Sequence, residues 1–233
     1  KEILNIKSDD LVSEISETLT DAVRIRLRAD VPVGTYLSGG LDSSALTETV
    51  KKNFNNELRS FGIRFENKNY DEGSYQSEMV DYLGVNHSEI VISNDDIGTN
   101  LEDVLWHTEK PLLRTGPIPL YLLSKLVNQS GYKVVLTGEG ADEIFGGYDI
   151  FKEEKIRNFW AKDPDSRLRP LLLARLYPYI FKDDRLNQTL ISFFKSGIEN
   201  PDDPFFSHNI RWKNTAKIKN FFSEQVKDSN RNY

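Results

Sequence analysis

The sequence predicts an α/β protein with a doubly wound, mainly parallel sheet and helices on both faces. Three observations support this fold class. Short segments rich in β-branched and aromatic residues alternate with amphipathic segments of helical period, which is typical of strand–helix–strand units. The segment from Tyr132 to Leu136 is almost continuously apolar, as in strands buried on both faces of a parallel sheet. Two predicted strands are directly followed by glycine-rich segments, where such sheets bind ligands.

The first elements follow from their end signals. A helix begins at Ser8, which can cap it, and continues with apolar residues on one face to about Arg28. Asp30-Val31-Pro32 ends it, because the residue before a proline disfavours helical geometry. A short strand over 33–37 is then ended by glycines, and a helix over 43–52 follows.

The next elements repeat this alternation up to the second glycine-rich segment. Each predicted strand is short and apolar, and each predicted helix has one apolar side. In chain order they are a strand over 59–65, a helix over 72–83, a strand over 87–92, helices over 95–108 and 119–130, and a strand over 132–136.

Beyond Tyr148 the pattern becomes helical. A helix is predicted over 151–160, with Glu153 and Arg157 spaced to pair on one helix face. A second apolar helical stretch, over 168–180, is interrupted by two prolines.

Apolar residues become sparse after Lys195, and those that remain suggest no clear core. We therefore expect an α/β domain over 1–150 and a helical extension over 151–233.

Composition excludes several classes of protein. The 233 residues contain no cysteine, which excludes disulfides, thiolate metal sites and cysteine nucleophiles. The three histidines are far apart and match no zinc spacing. A net charge of −6 argues against a general nucleic-acid surface, and no apolar run is long enough to cross a membrane. Without a signal-peptide pattern, we expect a cytoplasmic protein. Because the chain begins with Lys1 and not with Met, we expect it to be either a processed chain or a piece excised from a longer protein.

The first glycine loop, residues 37–44, has the sequence Leu-Ser-Gly-Gly-Leu-Asp-Ser-Ser between a strand and a helix. Glycines let backbone N–H groups converge, the helix amino end adds positive potential, and serine hydroxyls add donors, so the loop can hold an anion. It lacks the Gly-Lys-Ser/Thr of a Walker A loop and the third glycine of a dinucleotide fingerprint. The alternative is a plain turn followed by a helix cap.

The second glycine loop, residues 136–148, has three carboxylates within five residues, flanked by glycines. An acid there could bind magnesium or act as a base. The alternative is a solvated helix start, since acids favour first turns. Gly140 argues against that alternative, because glycine weakens a helix and suggests close approach to a ligand.

The first glycine loop resembles the pyrophosphate-binding loop of the N-type ATP pyrophosphatases, a class that includes asparagine, β-lactam, NAD and GMP synthetases. The second resembles the Gly-Glu-Gly-(small)-Asp-Glu-(apolar)-Phe-Gly-Gly-Tyr segment of asparagine synthetases. Residues 30–34, 70–72, His87 and 117–124 also match. The resemblance covers about residues 11–150 continuously and, more weakly, 151–222. It implies an adenine-nucleotide α-hydrolase-like fold.

The resemblance implies an AMP-forming ligase. Members adenylate the side-chain carboxylate of aspartate with ATP and magnesium, releasing pyrophosphate. Ammonia, derived from glutamine in an amino-terminal glutaminase domain, then displaces AMP to give asparagine. Adenylation supplies the leaving group that a carboxylate lacks, and the protein contributes mainly positioning and charge neutralisation.

Site residues are implied by motif match. Ser38, Gly39, Gly40, Asp42, Ser43 and Ser44 would hold pyrophosphate, and Leu37 and Ile63 would flank the adenosine.

Thr137 and Gly138 would contact the nucleotide through the backbone, a role that tolerates threonine where many members have serine. Glu139 would deprotonate the attacking nitrogen, and Asp42 and Asp142 would bind Mg²⁺.

Arg114 is a candidate for the substrate carboxylate, with a surface arginine as the alternative.

Other polar and aromatic residues receive structural interpretations. We expect His87 to be a hydrogen-bonded structural histidine, and Trp106, Trp160 and Trp212 to be packing residues. Tyr148 is expected to pack behind the second loop rather than to react.

Two features separate this chain from a whole synthetase. No glutaminase is expected, because the family's glutaminase nucleophile is a cysteine, and the downstream helical part that supplies a basic residue near the phosphates is missing. The full-length protein is then a larger amidotransferase, and a homodimer is an expectation for it. Alternatives are a β-lactam synthetase, another amidotransferase with the same adenylate chemistry, or an inactive ATP-binding fragment.

Overall fold

The computed structural model describes residues 8–54, 57–181 and 184–229, and the side chains of 184–187 are not described. The chain forms two compact units, Lys1–Glu139 and Gly140–Tyr233. The first unit thus includes the first glycine loop and the beginning of the second. The division into domains at residue 150 stays a prediction. No helix in the described ranges is long and apolar enough to cross a membrane.

The first unit contains the predicted strands and helices, most of them within two residues of the expected ends. The strands are β1 (Val33–Tyr36), β2 (Arg59–Phe65), β3 (Asn86–Ile92) and β4 (Val134–Leu136). The helices are α1 (Ser8–Arg26), α2 (Leu41–Asn53), α3 (Gly73–Leu83), α4 (Asn94–Thr99), α5 (Leu101–Thr108) and α6 (Pro117–Gln129).

The four strands form one parallel sheet in the order β3-β2-β1-β4. Thr35 of β1 is in register with Ser60 of β2 on one side and with Leu136 of β4 on the other. The strand order therefore reverses between β1 and β4, and this is the topological switch point at which open α/β sheets bind ligands. The first glycine loop follows β1 and the second follows β4, the two strands that flank the switch point.

Helices cover both faces of the sheet, which confirms the predicted doubly wound fold. Successive residues of β1 show this, because neighbours on a strand point to opposite faces. The Thr35 hydroxyl lies 3.2 Å from that of Thr47 in α2, and the Tyr36 hydroxyl lies 3.4 Å from that of Ser124 in α6. Apolar clusters fill the space between sheet and helices on both sides.

Two local expectations were wrong. The strand ending at Leu136 is half-buried rather than buried on both faces, because β4 is an edge strand with one described neighbour. The helix expected over 95–108 is two helices, because the Asn100 side chain donates to the carbonyl of Asp96 and ends α4. Ser93 begins α4 through a capping box with Asp96.

The second unit is helical and has its own core. Its elements are α7 (Ala141–Phe145), α8 (Asp149–Ala161), α9 (Leu171–Leu176), α10 (Asp184–Lys195), α11 (Phe206–Ala216), a 3₁₀ helix (Lys217–Phe221) and α12 (Glu224–Ser229). Trp160, Leu173 and Phe194 are buried together with Ile210. The expectation of no clear core after Lys195 was therefore wrong, because α11 folds back onto α8.

Glu153 and Arg157 do not form the expected helix-face pair. Both are fully buried, and each finds partners on another segment. Glu153 accepts hydrogen bonds from Arg211 and from the Tyr177 hydroxyl, at 2.5–3.0 Å. Arg157 donates to the carbonyls of Phe194, Ser196 and Phe206 at 2.8–3.0 Å. These partners on other segments replace the Glu153–Arg157 pair because a buried charge needs every hydrogen bond it can make.

The three tryptophans differ in burial. Trp160 is 2% exposed and packs in the core of the second unit, as expected. Trp212 is half-exposed, and its ring makes tilted contacts with those of Phe205 and His208. Trp106 is 81% exposed, so its interpretation as a packing residue was wrong. It lies on α5, where Val104 rather than Trp106 faces the core.

Candidate functional site

The first glycine loop forms a tight turn at the end of β1. Gly39 has φ +84°, a conformation that favours glycine, and a Cβ there would lie 2.5 Å from the backbone nitrogen of Gln76. The Ser38 N–H donates to the Ser43 hydroxyl at 3.2 Å, and the two hydroxyls lie 3.0 Å apart. The Gly40 N–H donates to the Ser38 hydroxyl at 3.2 Å. These bonds fix the loop before any ligand binds.

The amino end of α2 is suited to an anion. Gly40 precedes the helix and provides no side-chain cap, so first-turn N–H groups remain available. The Ser44 hydroxyl is buried and has no hydrogen-bond partner in the described part of the chain. Asp42 is half-buried in this first turn.

The second glycine loop directly contacts the first. A Cβ on Gly138 would lie 3.0 Å from the carbonyl carbon and Cβ of Asp42 and from the nitrogen of Ser43. Only a residue without a side chain allows this approach without displacing the start of α2. Thr137 and Glu139, on either side of Gly138, are exposed. The structure therefore brings Gly138 of the second loop against the first loop at the switch point.

Leu37 and Ile63 lie next to this edge but are differently engaged. Leu37 is 1% exposed, its N–H donates to the carbonyl of Phe61 at 2.9 Å, and its own carbonyl accepts from Gln76. Ile63 is half-buried near the end of β2. Their role beside adenosine stays a prediction.

The rest of the second loop belongs to the second unit. The Gly147 N–H donates to the Asp142 carbonyl at 3.1 Å, and the Asp142 carboxylate packs against the Gly147 backbone. The Tyr148 hydroxyl donates to Glu143 at 2.8 Å, and its ring stacks on Phe151. These contacts agree with a packing role for Tyr148.

The remaining predicted residues are placed as follows. Arg114 is exposed in the segment between α5 and α6. No cluster of three acidic or histidine side chains able to hold a metal ion occurs in residues 8–54, 57–181 and 184–229. A magnesium site built from one or two carboxylates and the substrate phosphates needs no such cluster. Asp42 fits that type of site, because its carboxylate is partly exposed in the first turn of α2.

His87 has the structural role expected. Its Nδ1 lies 2.8 Å from the Ser60 hydroxyl. Both residues are at the amino ends of their strands, opposite the edge that carries the glycine loops. Burial lowers the pKa of His87, and the nearby carboxylate of Glu89 partly opposes that effect.

Sequence reasoning missed an ion pair that positions α3. The Arg64 guanidinium donates two hydrogen bonds of 2.8 Å to Asp71, and the Phe65 N–H donates to Asp71 at 3.1 Å. Asp71 lies just before α3, whose first turn contacts Gly39. The family resemblance at residues 70–72 pointed to Asp71, but it did not indicate that Arg64 is its partner.

Comparison with known proteins decides the family. The asparagine synthase family model matches residues 14–228. The chain belongs to the asparagine synthase family.

Relatives in this family include a Bacillus subtilis protein named asparagine synthetase [glutamine-hydrolyzing] 1, 39% identical over 72% of this chain and 26% of its own length. A second B. subtilis relative, asparagine synthetase [glutamine-hydrolyzing] 3, is 29% identical over 88% of this chain and 37% of its own length. Amidase chry2 of Gibberella zeae is 35% identical over 65% of this chain and 25% of its own length. The chain thus spans between a quarter and just over a third of these relatives.

The Asp71–Arg64 pair predicts a specific acid sensitivity. The guanidinium hydrogen bonds, with the Phe65 N–H, lower the pKa of Asp71 from 3.8 to about 2. Because the folded pKa is depressed, the stability that Asp71 contributes is fully present above pH 3.8 and is lost as pH falls through about 2. Asp71→Asn should therefore have a lower free energy of unfolding than wild type at pH 6. Below about pH 2 the free energies of unfolding of the two proteins should converge.

The free energies of unfolding of wild type and Asp71→Asn are measured by denaturant unfolding from pH 6 to pH 2. Asp81→Asn, an exposed aspartate on α3, is the matched control and should show no such convergence. A constant difference between wild type and Asp71→Asn from pH 6 to pH 2 would contradict the assigned role.

Proposed function

We propose that this chain is the ATP-binding part of an amide-forming ligase that makes asparagine from aspartate. The observation that carries the proposal is the approach of Gly138 to Asp42 and Ser43, 3.0 Å from a Cβ position. This contact places the backbone of the second glycine loop against the amino end of α2, which is suited to an anion. Membership of the asparagine synthase family supports the same conclusion.

ATP would bind with its β- and γ-phosphates at the amino end of α2. The first-turn N–H groups, together with the hydroxyls of Ser38, Ser43 and Ser44, are the donors for them. Thr137 and Gly138 would contact the nucleotide from the other side through their backbone. Leu37 and Ile63 would flank the adenosine, because Leu37 directly follows β1 and Ile63 lies two residues before the end of β2.

The reaction would proceed in two steps. An oxygen of the aspartate side-chain carboxylate attacks the α-phosphorus, and the bond to the bridging oxygen breaks to release pyrophosphate. Ammonia then attacks the acyl carbon, and AMP leaves with the electron pair of the broken C–O bond. Glu139, exposed next to Gly138, would take the proton from the attacking nitrogen.

Asp42 and Asp142 are our candidates to hold Mg²⁺. When bound, the ion would neutralise phosphate charge and so favour departure of pyrophosphate. Asp42 fits this role through its position in the first turn of α2. Asp142 is a carboxylate of the second loop that packs against Gly147.

Aspartate and ammonia are the remaining substrates. Arg114 is our candidate for a substrate carboxylate, since it is exposed and a guanidinium can bind a carboxylate with two hydrogen bonds. Ammonia would come from glutamine through a glutaminase domain of the whole protein, since the names of the two B. subtilis relatives describe those proteins as glutamine-hydrolysing.

Pyrophosphate release by the whole protein tests the proposal. With ATP, Mg²⁺ and ammonia, release should depend on aspartate and should be matched by AMP and asparagine in equal amounts. Release that depends on another carboxylic acid would replace asparagine synthesis with a different amide-forming reaction. No release with any acid would overturn the proposal in favour of an inactive ATP-binding fragment.

Glu139→Gln should separate the two steps. The variant keeps the size of the side chain but cannot accept a proton, so ATP binding and the first release of pyrophosphate should persist. Asparagine formation should fall by roughly 10²–10⁴-fold, the usual contribution of a general base.

Rapid-quench measurement of pyrophosphate and asparagine in the same samples shows the separation. Glu102→Gln, an exposed glutamate in the first turn of α5, should match wild type in both products. Unimpaired asparagine formation by Glu139→Gln would remove Glu139 from the mechanism.

A further inference from the structure

Gln76 is a buried amide directly beneath the first glycine loop. It lies on α3 and is 1% exposed. Its Nε2 donates a hydrogen bond of 2.6 Å to the carbonyl of Leu37, the residue that enters the loop. The side chain thus connects the first turn of α3 to the end of β1 across 39 residues of sequence.

The surrounding backbone is shaped around this residue. A Cβ on Gly62 in β2 would lie 2.0 Å from Nε2 of Gln76, so any larger residue at position 62 would push the amide away from Leu37. A Cβ on Gly39 would lie 2.5 Å from the backbone nitrogen of Gln76. Gln76 therefore touches the loop twice, through its side chain before the turn and through its backbone at the turn.

The orientation of the amide is determined by Leu37. Turning it would place Oε1 against the Leu37 carbonyl, where two acceptors repel each other. In the observed orientation Oε1 is buried without a hydrogen-bond partner in the described residues. A buried acceptor without a partner is unfavourable, so the desolvated Oε1 offsets part of the stability that the Leu37 hydrogen bond gives. The amide is accounted for by the loop it holds.

We propose that Gln76 is a positioning residue for the first glycine loop, which it holds in the conformation that binds the phosphates of ATP. It acts through the Leu37 carbonyl and the Gly39 turn, without touching the nucleotide. The inference that this conformation serves ATP binding rests on the proposed function. The inference that Gln76 holds the conformation of the loop is independent of the proposed function.

Hydrogen exchange tests the loop part without any ligand. Gln76→Met keeps the length of the side chain and removes the donor. In the whole protein, amide exchange within residues 38–43 should become faster by about tenfold or more, since local opening becomes easier. Exchange in the rest of the sheet should be unchanged. Gln129→Met, at an exposed glutamine of α6, is the matched control.

Kinetics test the nucleotide part. For Gln76→Met we expect KM for ATP to rise about tenfold, with kcat at saturating ATP within about twofold of wild type, because a loosened loop costs binding rather than chemistry. A purely structural role would lower the amount of active enzyme and reduce kcat at constant KM.

Two results would overturn the inference: loop exchange equal to that of wild type, or faster exchange spread over the whole first unit. Unchanged KM would likewise overturn the link to ATP. If wild type itself neither binds ATP nor releases pyrophosphate, the proposed function fails, while the exchange experiment still decides whether Gln76 holds the loop.

Discussion

The contact between Gly138 and the first turn of α2 depends on one constraint, the parallel pairing of β1 with β4. These strands are about a hundred residues apart in sequence but in register at Val33–Val134, Gly34–Val135 and Thr35–Leu136. Parallel neighbours end at the same edge, so the segments that follow them must meet. Each is glycine-rich, and glycine is the residue that allows two backbones to come this close. The candidate site is therefore a consequence of strand order.

With a net charge of −6, the chain offers no overall field that attracts anions, so an anion at the first glycine loop would have to be held by local donors. The first loop contains no lysine or arginine, and its donors are backbone N–H groups and serine hydroxyls at a helix amino end. Such donors are effective only when they are held in fixed directions. Two interactions outside the loop support its geometry: Asp71 pairs with Arg64 just before α3, and Gln76 donates to the Leu37 carbonyl beneath the loop.

The sequence was sufficient for features with a local cause. The strand over 59–65 has its predicted limits, and both glycine loops were found because glycine marks positions where side chains are not tolerated. Features that depend on distant partners were missed. Nothing near Glu153 indicates Arg211, nothing near Gln76 indicates Leu37, and the edge position of β4 follows from the sheet as a whole. The roles of all the site residues, Arg114 and Asp142 included, rest on motif position and stay predictions.

Gly138→Ala tests most directly whether the two loops form one site. A methyl group there would meet Asp42 and Ser43 at 3.0 Å and displace either the second loop or the start of α2. Gly98→Ala is the control, since a Cβ at Gly98 meets no atom within 4 Å and the backbone is not in the left-handed region. Equilibrium binding of ATP to the whole protein should weaken by about tenfold or more in Gly138→Ala, about 1.4 kcal/mol, and remain at the wild-type value in Gly98→Ala. Wild-type affinity in Gly138→Ala would contradict the account.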